Sequence, residues 1–258
     1  MIDGVFLGLI QGVFEWLPVS SEGVLVAFMS VVSELSSQDA IRFALWLHLG
    51  TCISAVIVFR SRIYSLLVQM WETKTTTSTP EARFLTISTI TSFFVGGLIL
   101  LTIDMLLERA GVVVIVAVGA CMVLTGILQL RRRAGSRKEI HDLTVGDALW
   151  GGLAQGLAVV PGFSRSGFTV ATLVWRGYGF KDCLELSILM SIPASLGAGL
   201  VGGLTSSVGF EWSMLVATVI AAATGLLTIR VLLAFSERFS LGILVMLSGA
   251  AMLLAGLL

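Results

Sequence analysis

The chain has 258 residues, of which 56% are apolar and 12% charged, and its 16 basic and 16 acidic side chains leave a net charge of zero. A mean hydropathy of +0.99 is well outside the soluble range. These values exclude an ordinary water-soluble enzyme and leave no basic footprint for nucleic acid; they describe an integral membrane protein.

The first predicted element is interrupted. Residues 3–35 read as two short apolar runs joined at Leu17-Pro18-Val19-Ser20-Ser21. Each run falls short of the roughly 20 residues that a membrane-crossing helix needs. Proline cannot extend the first run, and Ser20 is placed to cap the second. Three full-length apolar segments follow, at about 40–59, 84–107 and 111–130. The loops around 60–83 and 131–146 read as polar connectors. A second interrupted element covers 147–176 and turns at Pro161-Gly162-Phe163-Ser164-Arg165. Three more full-length segments follow it, at about 183–204, 212–233 and 239–258. Cys52, Cys121 and Cys183 stand singly in apolar segments without metal-type spacing and read as packing residues.

The two interrupted elements are copies of each other. Residues 3–27 and 147–171 match at nine of 25 positions at a constant offset of 144, among them Gln11/Gln155, Gly12/Gly156 and Ser20/Ser164. The chain therefore reads as one membrane domain, 1–258, made of two repeats, 1–131 and 145–258. The expected fold is all-α and polytopic, with six transmembrane helices and two re-entrant helical hairpins. A re-entrant hairpin returns to the face it entered, and three crossings follow each one. The second hairpin then enters from the opposite face, which makes this an inverted-topology repeat with both tips near the midplane. With the N-terminus on one side, the loops on the other side collect 13 of the 16 Lys and Arg residues. That side is cytoplasmic by the positive-inside rule, and both termini face outward.

Chemistry concentrates at the tips. Each tip is followed by a helix start, whose free backbone N–H groups and partial positive charge suit a phosphate. Arg165 adds a full charge and a planar donor fork. Ser20, Ser21, Ser164, Ser166 and Thr169 add hydroxyls, with Thr169 one turn beyond Arg165. The copies diverge here: Glu15 stands opposite Val159, and Ser21 opposite Arg165. Glu15 reads as a general base, as a ligand for a divalent cation, or as a counter-ion for Arg165. Gln11 lies one turn before it on the same face. Glu22 is either a helix-start carboxylate or a site group. His48 is either a packed core histidine or a proton-transfer group, and His141 is a loop residue.

At these residues the chain resembles the undecaprenyl-diphosphatase family, the bacitracin-resistance membrane phosphatases. That family carries E/Q-x-x-x-E followed by P-V-S-S, here Gln11 to Glu15 and Pro18-Val19-Ser20-Ser21. It also carries P-G-x-S-R-S-x-x-T, here Pro161 to Thr169. The resemblance implies hydrolysis of a polyprenyl diphosphate, a site toward the outer membrane face, and a divalent cation, Mg²⁺ or Ca²⁺. It implies Glu15 as acid/base or metal ligand, Arg165 as phosphate clamp, and Ser21 as nucleophile. One position departs. The family histidine after the Ser-Ser-x-Gly stretch is Val24 here, so Glu15 acts alone, Glu22 or His48 assists it, or the chemistry is altered.

The expected partners are the lipid diphosphate, membrane lipids and a second copy of the chain as a homodimer. The competing reading is a transporter or flippase of a lipid phosphate, because an inverted repeat around a midplane anion site also serves alternating access. A purely structural subunit leaves the intramembrane arginine and the hydroxyl-lined tips without a purpose.

Overall fold

A computed structural model describes residues 2–18, 20–32, 37–73, 79–131, 138–160, 163–205 and 212–235, with short stretches between 243 and 254. The named elements are helical: α1 (Ile2–Phe14), α2 (Ser21–Val32), α3 (Ser37–Thr73), α4 (Pro80–Arg131), α5 (Val145–Leu157), α6 (Arg165–Arg176), α7 (Phe180–Thr205) and α8 (Trp212–Phe235), with a 3-10 turn at Ile140–Asp142. Among the described residues, four helices are long and apolar enough to cross a membrane: Asp39–Glu72, Pro80–Leu101, Phe180–Leu204 and Trp212–Phe235. This is the build of an all-helical, multi-pass membrane protein.

Both interrupted passages fold as helix, turn, helix: α1 and α2, then α5 and α6. Of the tip residues, Val19, Pro161 and Gly162 lie outside the described residues, as do 74–78, 132–137 and most of the segment expected at 239–258.

Two helices run longer than hydropathy predicts. α3 continues through Arg60 and Arg62 to Thr73, where a connector was expected from residue 60. Residues 60–71 contain no glycine or proline to end it, and the Arg60 guanidinium turns back to the Ile57 carbonyl at 3.0 Å. α4 runs unbroken over 52 residues where two spans were expected to meet at 108–110. At 1.5 Å per residue that is ~78 Å, against a hydrocarbon core of ~30 Å. Glu108, Arg109 and Ala110 are all tolerant of helix, so nothing local breaks it. Hydropathy marks where lipid begins, and the backbone has no need to stop there.

The chain divides into two compact units: Met1–Ser65 with Ile188–Ala234, and Leu66–Ser187 with Phe235–Leu258. In the first, Leu7, Leu25, Met29, Ala40, Ala44, Leu47 and Ala217 form a buried core. α1 lies on α8 through Gly8 and Gly12. A Cβ at Gly8 would collide with Ala217 O and Ile220, and one at Gly12 with Thr224 and Ala221 O. In lipid, where apolar tails offer no contrast, such close backbone approach is what holds helices together. Trp46 of α3 also reaches α8, its indole N–H 2.9 Å from Thr218 Oγ1.

In the second unit α5 lies on α4 in the same manner. A Cβ at Gly152 would meet Ser88 O and Thr91, and one at Gly156 would meet Val95 and Ser92 O. Gly152 and Gly156 are the repeat equivalents of Gly8 and Gly12. Their partners Ser88, Thr91, Ser92 and Val95 stand at one constant offset from Ala217, Ile220, Ala221 and Thr224. Each α1-type helix thus sits in the same register on a helix that belongs to the other sequence repeat.

The open end of the α5–α6 pair is tied by Asp147. It forms a capping box with Thr144. It also accepts from Arg176 Nε at 2.6 Å and from the Tyr178 hydroxyl at 2.7 Å. Burial pushes this carboxyl up, but the hydrogen bonds from Thr144, Tyr178 and Arg176 outweigh it and hold Asp147 at about 2, below its usual 3.8. Burial and the neighbouring Asp147 carboxylate push the Tyr178 phenol up. Gly177 ends α6 in the left-handed region at φ 115°, a conformation that glycine adopts without strain.

Candidate functional site

The first tip is built around one buried carboxylate oxygen. The Glu15 N–H still bonds to the Gln11 carbonyl at 3.0 Å, so the α1 helical pattern carries Glu15 to its end. One turn back on that face, Gln11 Nε2 donates to Glu15 Oε2 at 3.1 Å. The chain then turns at Pro18 and restarts at Ser21, whose hydroxyl donates to the same Oε2 at 2.6 Å. His48 of α3 brings Nε2 to 3.4 Å from that oxygen. Gln11 is fully buried, with Glu15 5% and Ser21 7% exposed. Glu22 is close enough for the charges of His48 and Glu15 to act on it. Among the described residues, the buried Gln11 Oε1 and Trp16 Nε1 have no hydrogen-bond partner, a cost of about 1–3 kcal/mol for each such group left unpaired. A tip that tolerates this cost next to a buried acid is shaped for something other than stability.

Ser20 caps α2, its Oγ accepting from Gly23 N–H at 3.1 Å. Ser164 caps α6 in the matching way, accepting from Gly167 N–H at 3.2 Å. Both sequence repeats therefore present a capped helix start, with N–H groups facing the tip. In the second tip Arg165 is the first residue of α6 and is half-buried. Ser166 Oγ lies 3.3 Å from Ser164 Oγ. Thr169 is fully buried and turns inward. Its hydroxyl bonds back to the Arg165 carbonyl at 2.9 Å and is also in contact with the Ser187 hydroxyl of α7. Thr169 thus braces the first turn of α6. Ser187 was not foreseen, although its spacing of four from Ser191 and Ser195 puts three hydroxyls on one helix face.

Glu15, Ser21, Gln11, Glu22 and His48 belong to the first unit, and Ser164, Arg165, Ser166 and Thr169 to the second. Cys52 and Cys183 are buried thiols, and Cys52 Sγ donates to the Ile192 carbonyl at 3.6 Å. Among the described residues, no group of three or more His, Cys, Asp or Glu side chains is arranged to hold a metal ion. The donors facing Glu15 Oε2 from Ser21 and Gln11 present hydrogens rather than lone pairs. A cation caged by protein alone would need more oxygen ligands than this tip presents among the described residues.

Comparison with known proteins gives the chain a family. The family model for bacitracin resistance protein BacA matches residues 4–253. The chain belongs to the BacA family. A protein of Methanococcoides burtonii named undecaprenyl-diphosphatase is 36% identical over 243 residues, covering 92% of this chain and 91% of its own. Relatives of the same name from Haloarcula marismortui (34% identity over 238 residues, 90% of this chain and 88% of the relative) and Saccharolobus solfataricus (33% over 271 residues, 100% and 96%) align similarly.

Proposed function

We propose that this BacA protein is a membrane phosphatase that hydrolyses a polyprenyl diphosphate of the undecaprenyl type to the monophosphate and inorganic phosphate, returning the lipid carrier to use. The observation that carries this reading is the 2.6 Å hydrogen bond from Ser21 to Glu15 in a buried tip, in a chain whose relatives bear that name. A hydroxyl aimed at a buried carboxylate is the pairing of nucleophile and base.

Ser21 Oγ attacks the terminal phosphorus as its proton passes to Glu15 Oε2. The new O–P bond forms, the anhydride P–O bond breaks, and its electron pair leaves on the lipid monophosphate. The proton on Glu15 passes to the departing lipid monophosphate; water then cleaves the phosphoserine as its proton goes to Glu15, which returns it to Ser21 Oγ as inorganic phosphate leaves. The N–H groups that open α2 stabilise charge on the phosphoryl oxygens, and the motif that Arg165 stands in supports it as the phosphate clamp. A divalent cation, Mg²⁺ or Ca²⁺, carried on the diphosphate and reaching Glu15, would neutralise further charge there.

The same proposal takes the α1–α2 and α5–α6 pairs as re-entrant hairpins of an inverted repeat, with both termini outside and the site toward the outer face. Their lengths of 13, 12, 13 and 12 residues support this, since each helix spans only ~20 Å. The matched register of α1 on α8 and of α5 on α4 supports the internal repeat.

The test uses purified protein and long-chain polyprenyl diphosphate, comparing wild type with Glu15→Ala and Arg165→Ala. Phosphate release by wild type and its loss in both variants is expected. Equal release from all three rejects the assignment.

A further inference from the structure

His48 reaches the same Glu15 oxygen that receives the Ser21 hydroxyl, and the reaction above does not use it. Its ring is anchored at the far side. Nδ1 lies 2.9 Å from the Ala44 carbonyl, one turn back on α3. A carbonyl oxygen only accepts, so Nδ1 carries hydrogen there and the helix backbone sets the plane of the ring. The opposite nitrogen, Nε2, then ends 3.4 Å from Glu15 Oε2, an ion-pair distance rather than a tight hydrogen bond.

The base of this arm is fixed. Ala44 and Leu47 are fully buried. Thr51 Oγ1 holds the His48 carbonyl at 3.1 Å. Gly50 brings the α3 backbone so close to Thr218 O and Ala221 of α8 that a Cβ there would collide. Gln11 contacts the same carboxylate oxygen from α1. The oxygen is thus gripped from two helices, and Ser21 approaches from a third.

We infer that His48 is a positioning residue for Glu15: an arm rooted in the α3 backbone that holds Oε2 in line with the Ser21 hydroxyl. This rests on the phosphatase reading for its kinetic consequence. The geometry separates it from a packing role. A packing residue fills volume, whereas this one presents a particular nitrogen to a particular oxygen. Misplacing a catalytic oxygen by about an ångström lowers turnover by roughly a hundredfold without weakening substrate binding as much.

The experiment compares wild type, His48→Leu and His48→Gln, each verified for folding by thermal unfolding in detergent. kcat and KM for polyprenyl diphosphate are measured separately. Leucine keeps the bulk and loses the polar contact, and glutamine returns an N–H near the same place. His48→Leu should lose roughly 10–100-fold in kcat with KM within about twofold, and His48→Gln should recover most of it. A leucine variant as fast as wild type overturns the inference, and so does a glutamine variant as slow as leucine. A second readout is independent of turnover. The Glu15 carboxylate band, assigned by its loss in Glu15→Gln, is followed by infrared difference spectroscopy. It should shift in His48→Leu, and an unmoved band overturns the inference. A wild-type protein that releases no phosphate rejects the phosphatase reading alone, and the band shift still decides the role of His48.

Discussion

The Ser21 hydroxyl donates to Glu15 Oε2 at 2.6 Å across the turn that separates α1 from α2. The helix break at Pro18 makes this possible. An unbroken helix would set residues 15 and 21 on different turns, about 120° apart around the axis and ~9 Å apart along it. The turn folds the chain back so that a first-turn hydroxyl of α2 meets the acid that ends α1.

Glu15→Gln should separate chemistry from structure. Glutamine keeps the volume and an acceptor oxygen for Ser21 and Gln11, but it takes no proton. Thermal stability in detergent should stay within a few degrees, while kcat falls by roughly 10²–10⁴-fold. Phosphate release under saturating substrate is the measurement.

Ser164 permits a test of its two duties. Ser164→Ala removes the cap on Gly167 N–H and should cost about 1 kcal/mol. Ser164→Asp keeps a capping oxygen but places negative charge at the proposed phosphate tip. It should hold wild-type stability and lose phosphatase activity, as seen by unfolding and turnover on the same samples.

Asp147 predicts an acid-sensitive knot. Its folded-state pKa of about 2 is below the usual 3.8. The stabilisation is therefore full above about pH 4 and is lost as pH falls through about 2. The shift corresponds to roughly 2 kcal/mol at neutral pH. Asp147→Asn should be less stable than wild type by about that amount at pH 7, and the difference should close between pH 4 and pH 2 in unfolding experiments.

The helix-contact glycines should be intolerant of a methyl group. Gly156→Ala puts a Cβ against Val95 and Ser92 O and should cost ~1–3 kcal/mol. Gly97→Ala has nothing within 4 Å of the new atom and should be neutral or stabilising by up to about 1 kcal/mol. Thermal midpoints of the two variants provide the comparison.

Chelation should distinguish a substrate-borne cation from a structural one. With no cage of three or more ligands among the described residues, EDTA should abolish phosphate release, leave the thermal midpoint unchanged, and be reversed by added Mg²⁺ or Ca²⁺.

The interrupted passages were legible because two local signals coincide in both copies. An apolar run too short to span meets proline, and a serine stands three residues before a glycine whose N–H it caps. The helix ends of α3 and α4 were not legible, because residues 60–71 and 108–110 turn polar without turning into helix breakers. Thr169 was placed on the Arg165 face by its spacing. A threonine inside a helix, however, tends to bond back to the carbonyl four residues earlier, and here it does. His48 was the least readable. Sequence periodicity says which residues share a helix face, but not which neighbouring helix that face meets. Its approach to Glu15 depends on the packing of α3 and α1 within the same unit.

The register of α1 on α8 has a consequence for how the protein is made. α1 leaves the ribosome well before α8, which carries the surface that receives Gly8 and Gly12. α5, by contrast, emerges after its seat on α4 already exists. The helix pair bearing Glu15 must therefore wait for its seat until α8 has been made. A nascent chain truncated before α8 should leave that acid without its final surroundings.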